Sequence, residues 1–186
     1  MNDSTTPIIN PYAPPVAAVE EVQIGGDAER TRQEHLAVEA NLKAFGLLHL
    51  LGGLFLVPSA IVILVGSVVA GLTPAVIAIA LALGILGALM LSSGYNLRRL
   101  SPGARMPATL VGAVGLLSFP VGTILNGALL IILWGAKGRV VLTEDYQEIV
   151  RLTPHMKYRT PLVVWIVAGL MLLGVLMVLF FASTGT

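Results

Sequence analysis

No cysteine occurs among the 186 residues. Its absence excludes disulfides, thiolate metal sites, cysteine nucleophiles, iron–sulfur ligation and thiol lipidation together. Charge is also scarce, at 11% of residues, where a soluble domain carries about 25%. The scarcity is local. Ala44–Leu97, Met106–Ala136 and Thr160–Thr186 contain no Asp, Glu, Lys or Arg, and every charge falls in Asp3–Lys43, Arg98–Arg105 or Lys137–Arg159. A charge in hydrocarbon costs roughly 2.5–3.5 kcal/mol on the mildest scales, so this pattern separates membrane from water. A net charge of +1 gives no bulk attraction to nucleic acid. The opening residues lack the basic start and apolar core of a signal peptide, so the first membrane helix is expected to act as the targeting signal.

What is present is a chain 56% hydrophobic, with room for one membrane domain and one short tail. The expected class is an all-α membrane protein. Residues 1–26, with Pro7, Pro11, Pro14 and Pro15, read as a disordered cytoplasmic tail, because they offer little apolar area to offset ordering entropy. Residues 27–43 read as a juxtamembrane helix capped by Asp27, with Glu39 and Lys43 as a favourable i,i+4 pair. Residues 44–69 form a first span of about 39 Å at 1.5 Å per residue, carrying Pro58 as an expected kink. Residues 74–93 form the second, with Thr73 as cap and Pro74 in its first turn. Residues 161–182 form the last, again opened by Thr160-Pro161.

The segment 107–135 admits two readings. A single helix would make a four-span bundle and would have to pass through Phe119-Pro120-Val121-Gly122. A hairpin of two short helices would turn there, because Pro120 disfavours helical backbone at Phe119 and Gly122 offers a turn. The single span puts six basic residues inside and five outside, whereas the hairpin puts all eleven inside. The positive-inside rule therefore favours three full spans plus a hairpin.

Candidate functional residues are few. Ala80, Gly84 and Ala88 form a small-residue stripe for helix packing, and Gly112 and Gly115 suit close packing of the hairpin. Ser118, Thr123 and Asn126 surround the hairpin turn. With His49 they are candidates for a polar path, or else for satisfying backbone freed at Pro120. Residues 137–160 form a cytoplasmic segment with a short helix capped by Thr143, whose face of Tyr146, Ile149 and Val150 is expected on the bilayer surface. Lys157 and Arg159 are candidates for acidic lipid headgroups, and Trp134, Tyr158 and Trp165 for interfacial anchors. No nucleophile–base pair, phosphate loop or metal-ligand spacing occurs, so no catalytic, cofactor or metal site is assigned and no enzyme is expected.

Asn10-Pro11-Tyr12-Ala13-Pro14-Pro15, Phe119-Pro120-Val121-Gly122-Thr123 followed by Leu129–Trp134, Asp145–Ile149 and Thr153–Thr160 resemble segments of small bacterial integral-membrane proteins of unassigned activity. The resemblance implies a bacterial inner-membrane location and no substrate or catalytic residue. The expected function is association, as a subunit or adaptor of a membrane complex with a protein partner or a second copy. The alternative is an oligomeric channel or passive permease built around the hairpin.

Overall fold

The computed structural model describes residues 16–71 and 73–156, and beyond them 165, 166, 169, 172 and 173. Residues 1–15, Lys157, Tyr158, Arg159 and most of the expected last span lie outside the described residues. Among the described residues every regular element is helical.

Helix α1 runs from Val16 to Ala70. It takes in residues 16–26, which composition assigns to a solvated tail. Ala17, Ala18, Glu20, Glu21 and Gln23 are good helix formers, and extending an existing helix fixes one residue per added bond. Asp27 consequently lies inside α1, not at its cap. The helix also continues through Pro58, although proline leaves the Leu54 carbonyl without its helical partner. Gly71, at φ +62°, opens the turn into α2, Pro74–Arg98. Pro74 occupies the first helical turn, but the Thr73 hydroxyl makes no capping bond. Only the Thr73 carbonyl takes part, accepting from the Val76 N–H at 3.0 Å. α1 and α2 are long and apolar enough to cross a membrane.

The two helices pack through small residues at every seventh position. Gly46, Gly53, Ala60 and Ser67 are buried on α1, and Ala80, Gly87 and Gly94 on α2. The helices are antiparallel, so Gly46 meets Gly94 and Gly53 meets Gly87. A Cβ on Gly53 would lie 2.7 Å from the Gly87 carbonyl oxygen, and one on Gly46 3.0 Å from that of Gly94. A seven-residue repeat keeps the seam facing its partner, and small side chains let the backbones approach. Of the stripe expected from sequence, Ala80 is buried and Gly84 faces Ala60, with a built Cβ 3.6 Å away. Ala88 is exposed. Gly87, one residue earlier, holds the seam position instead.

After α2 and a short 3-10 turn, Pro102–Ala104, come α3, Arg105–Gly115, and α4, Val121–Trp134. The continuous helix considered for this segment does not form. The chain reverses between α3 and α4 around a cis Phe119–Pro120 peptide. The arms run antiparallel. The Thr123 hydroxyl donates to the Leu116 carbonyl at 2.6 Å, the side chain of Leu130 lies against Gly112, and Trp134 Nε1 donates to Thr109 Oγ1 at 3.2 Å. With 11 and 14 residues, the arms are roughly 16 and 21 Å long at 1.5 Å per residue. Both are shorter than a hydrocarbon core of about 30 Å.

The hairpin returns the chain to its starting end. Arg105 Nη2 donates to the Arg139 carbonyl at 2.7 Å, and Lys137 Nζ to the Glu34 carbonyl at 3.2 Å. Helices α5, Ala136–Val141, and α6, Glu144–Leu152, complete that end. α6 is capped as its sequence predicts, with the Thr143 hydroxyl accepting from the Tyr146 N–H. Its apolar face, however, does not lie open for a bilayer surface. Tyr146 is fully buried with Leu42, Leu97 and Leu133, and Ile149 and Val150 pack against this cluster. The alternative of burial against α1 wins because α1 extends beyond the apolar stretch and offers Val38 and Leu42 as a second apolar surface.

Candidate functional site

The main polar constellation lies where the charged part of α1 meets α6. Glu39 is the centre. Its side chain is fully buried, and three donors converge on its carboxylate. Arg32 binds it with two guanidinium nitrogens, Nε to Oε2 and Nη2 to Oε1, each at 3.2 Å. Lys43 Nζ donates to Oε1 at 2.6 Å, and the Tyr146 hydroxyl to Oε2 at 3.2 Å. Arg32 then reaches across to α6, donating through Nη1 to the Thr153 carbonyl and, at 3.0 Å, to Thr153 Oγ1. Thr153 Oγ1 in turn donates to the Ile149 carbonyl at 2.7 Å.

Local sequence explains the geometry. Arg32, Glu39 and Lys43 sit two turns and one turn apart along α1, close enough to share one face. The bifurcated guanidinium suits bidentate contact with a carboxylate. Burial alone would raise the Glu39 carboxyl, but the hydrogen bonds and charges of Arg32 and Lys43 outweigh it and hold the group below its ordinary 4.5. Burial, and next to it the Glu39 charge, pushes the Tyr146 phenol well above its ordinary range. Glu39 is therefore the ionised acceptor and Tyr146 the neutral donor at neutral pH. His35 adds an edge-on ring contact to Tyr146, with centroids 6.0 Å apart. The arrangement is closed. It presents no nucleophile beside a base, and its donors are spent on one another and on backbone. Chemically it can fasten α6 to α1.

Sequence reading found only the Glu39–Lys43 pair of this group. Arg32, Tyr146 and Thr153 were missed. The available signal was a buried-face pattern, with Val38 and Leu42 flanking Glu39.

The second polar region lies among the apolar stretches. His49 Nδ1 is 2.8 Å from Ser93 Oγ, and both side chains are buried between α1 and α2. His49 also borders a cleft of about 330 Å³ that Ser118 and Asn126 line from the hairpin, with Leu56, Met90 and Val111. Thr123 is not among its lining residues; its hydroxyl is spent on Leu116. Asn126 Nδ2 donates to the Gly122 carbonyl at 2.8 Å, and its carboxamide lies against Gly115. The structure thus brings His49, Ser118 and Asn126 to one cleft and places Thr123 apart. Gly112 and Gly115 face α4. Among the described residues no cluster of three His, Cys, Asp or Glu side chains suits a metal ion.

No family model matches the chain, and neither does any curated protein or solved structure at a significant level.

Proposed function

We propose that this chain is a non-enzymatic integral membrane protein that acts by association, as a subunit or adaptor presenting a rigid platform on the cytoplasmic side. In this reading it is a bacterial inner-membrane protein with three full spans, 44–69, 74–93 and 161–182, and a hairpin that enters and leaves on one side. The observation that carries the reading is the closed Arg32–Glu39–Lys43–Tyr146–Thr153 network. It fixes α6 against α1, and it leaves Glu144, Asp145 and Glu148 exposed on the outer face of α6. A buried ionic network is weak as a source of stability but well suited to setting one arrangement. An interaction surface gains affinity when it is preorganised, since less ordering entropy is lost on binding.

The second reading, an oligomeric channel or passive permease, draws on the cleft between His49 and Asn126. It is the weaker one. Thr123 and Asn126 satisfy the hairpin's own backbone, and the cleft walls are mostly apolar.

Two experiments test the proposal. Purification from native membranes in mild detergent should yield a stoichiometric partner or a defined oligomer. Glu144→Lys combined with Glu148→Lys should abolish that association with little change in melting temperature. A monodisperse monomer without partner, or solute flux in proteoliposomes that Asn126→Leu blocks, would remove the adaptor reading. For orientation, cysteine placed at Ser183 should react with an impermeant thiol reagent in intact spheroplasts and cysteine at Thr143 should not. The native chain has no cysteine to give background.

A further inference from the structure

A separate basic cavity lies beside the network, where the end of α2 meets α6. Its volume is about 460 Å³, within the about 300–1,000 Å³ common for ligand sites. Arg98, Arg99 and Arg151 line it, and Lys43 forms part of its wall. Among the described residues no carboxylate lines it. The acid nearest in the network, Glu39, is fully buried and already accepts from Arg32, Lys43 and Tyr146. The three arginines are exposed. Arg99 lies over the Tyr95 ring, 4.4 Å from its centroid, which orients its guanidinium without using its N–H donors.

A helix C-terminus ordinarily repels an anion. Here several of its carbonyls are taken. The Ser101 N–H bonds to the Asn96 carbonyl and the Leu100 N–H to that of Leu97, closing the helix, and Gln147 Nε2 donates to the carbonyls of Arg99 and Leu100. This closure places Leu100 at φ 53°. That backbone is unfavourable for leucine and is held by burial of its side chain. The cavity sits at the C-terminal end of the apolar stretch of α2, beside the half-exposed ring of Tyr95.

We infer that Arg98, Arg99 and Arg151 form a binding site for a phosphate-bearing anion at the membrane surface. It does not depend on the association reading, because it rests on this cavity and its arginines and not on the closed network or the acidic face of α6. Guanidinium groups pair with phosphate oxygens in a fixed, bidentate geometry. The phosphate can come from an anionic lipid headgroup or from a soluble phosphate.

The test uses the full chain in neutral detergent. Binding of phosphatidylglycerol is measured by native mass spectrometry beside phosphatidylcholine, and inorganic phosphate is added as a competitor. Phosphatidylglycerol should bind in preference to phosphatidylcholine. Arg98→Gln and Arg151→Gln should each weaken it about fivefold, whereas Arg30→Gln, at an exposed pair with Glu34, should leave it unchanged. Failure of millimolar phosphate to compete identifies the lipid as the source, and competition extends the site to soluble phosphates. Melting temperatures without ligand show that the variants fold. Equal affinity for the two lipids, or equal weakening by Arg30→Gln and Arg151→Gln, would overturn the inference.

Discussion

Replacing Glu39 with Ala tests the central network most directly. The carboxylate is fully buried and Arg32 is 4% exposed. The change removes two guanidinium bonds, one ammonium bond and one phenol bond at once. It also leaves the Arg32 charge buried with only neutral partners, the Thr153 oxygens and, at 3.5 Å, the Val150 carbonyl. Breaking a buried ion pair from one side costs about 3–5 kcal/mol, most of it from the stranded charge. For a chain of this size about 1 kcal/mol shifts the melting temperature by roughly 2–4 °C, so Glu39→Ala should melt roughly 6–20 °C lower. Glu34→Ala on the same helix supplies the contrast. Its pair with Arg30 is exposed, with side-chain exposures of 80% and 58%, and such pairs contribute about 0–1 kcal/mol. The assay is thermal unfolding in one detergent, followed by circular dichroism and by a cysteine reporter on α6. The reporter should react in Glu39→Ala well below the global transition, because α6 loses its tie to α1. Adding Arg32→Leu to a Glu39→Leu background should recover part of the loss, since the Arg32 charge is then no longer stranded. A melting temperature within a degree of wild type for Glu39→Ala would refute the reasoning, and so would equal losses at Glu34 and Glu39.

Acid should act on the same group. Glu39 is held below 4.5 in the folded protein, so its contribution is fully present above pH 4.5 and is lost as pH falls through the lower folded value. Below that point wild type should lose stability more steeply than Glu39→Gln, and matching acid limbs would count against the assignment. Tyr146→Phe removes one hydrogen bond to a charged group and should cost about 1.5–3 kcal/mol, read by chemical denaturation. At the helix seam, Gly53→Leu would drive side-chain atoms into the Gly87 backbone and should cost about 1–3 kcal/mol or more, whereas Ala88→Leu, on the exposed side of α2, should change the melting temperature little. Thr123→Val leaves the Leu116 carbonyl without its donor at the hairpin turn and should cost about 1–3 kcal/mol; no change would mean that the turn is held without it.

What was legible in the sequence depended on whether the cause was local. Charge partition is a property of the chain alone. It anticipated that the segments around Arg32, Arg99 and Lys137 share one end, and Arg105 and Lys137 duly bond across to Arg139 and Glu34. The break at Pro120 is equally local, because proline restricts its own neighbour. At the seam only the last position of the expected stripe departs, for a different reason: Ala80 is buried and Gly84 faces Ala60, but Ala88 is exposed. A spacing of four on α2 alone selects Ala80, Gly84 and Ala88, and nothing within α2 favours Gly87 over Ala88. The choice becomes determinate only when α1 is set antiparallel, so that Gly46 and Gly53 fall opposite Gly94 and Gly87 at a common seven-residue step. A search for small residues at that step in both spans together would have found it. The Glu39 network is harder to anticipate. Its i,i+4 partner Lys43 looks like an ordinary surface pair, and the residue that buries it, Tyr146, lies 107 positions away. The apolar face of α6 was visible, but its two possible destinations, lipid or α1, present the same pattern. What decides between them is the apolar surface that Val38 and Leu42 offer on α1, together with the Tyr146 hydroxyl. At a bilayer surface it would find water, whereas against α1 it completes the coordination of a buried carboxylate that already carries Arg32 and Lys43.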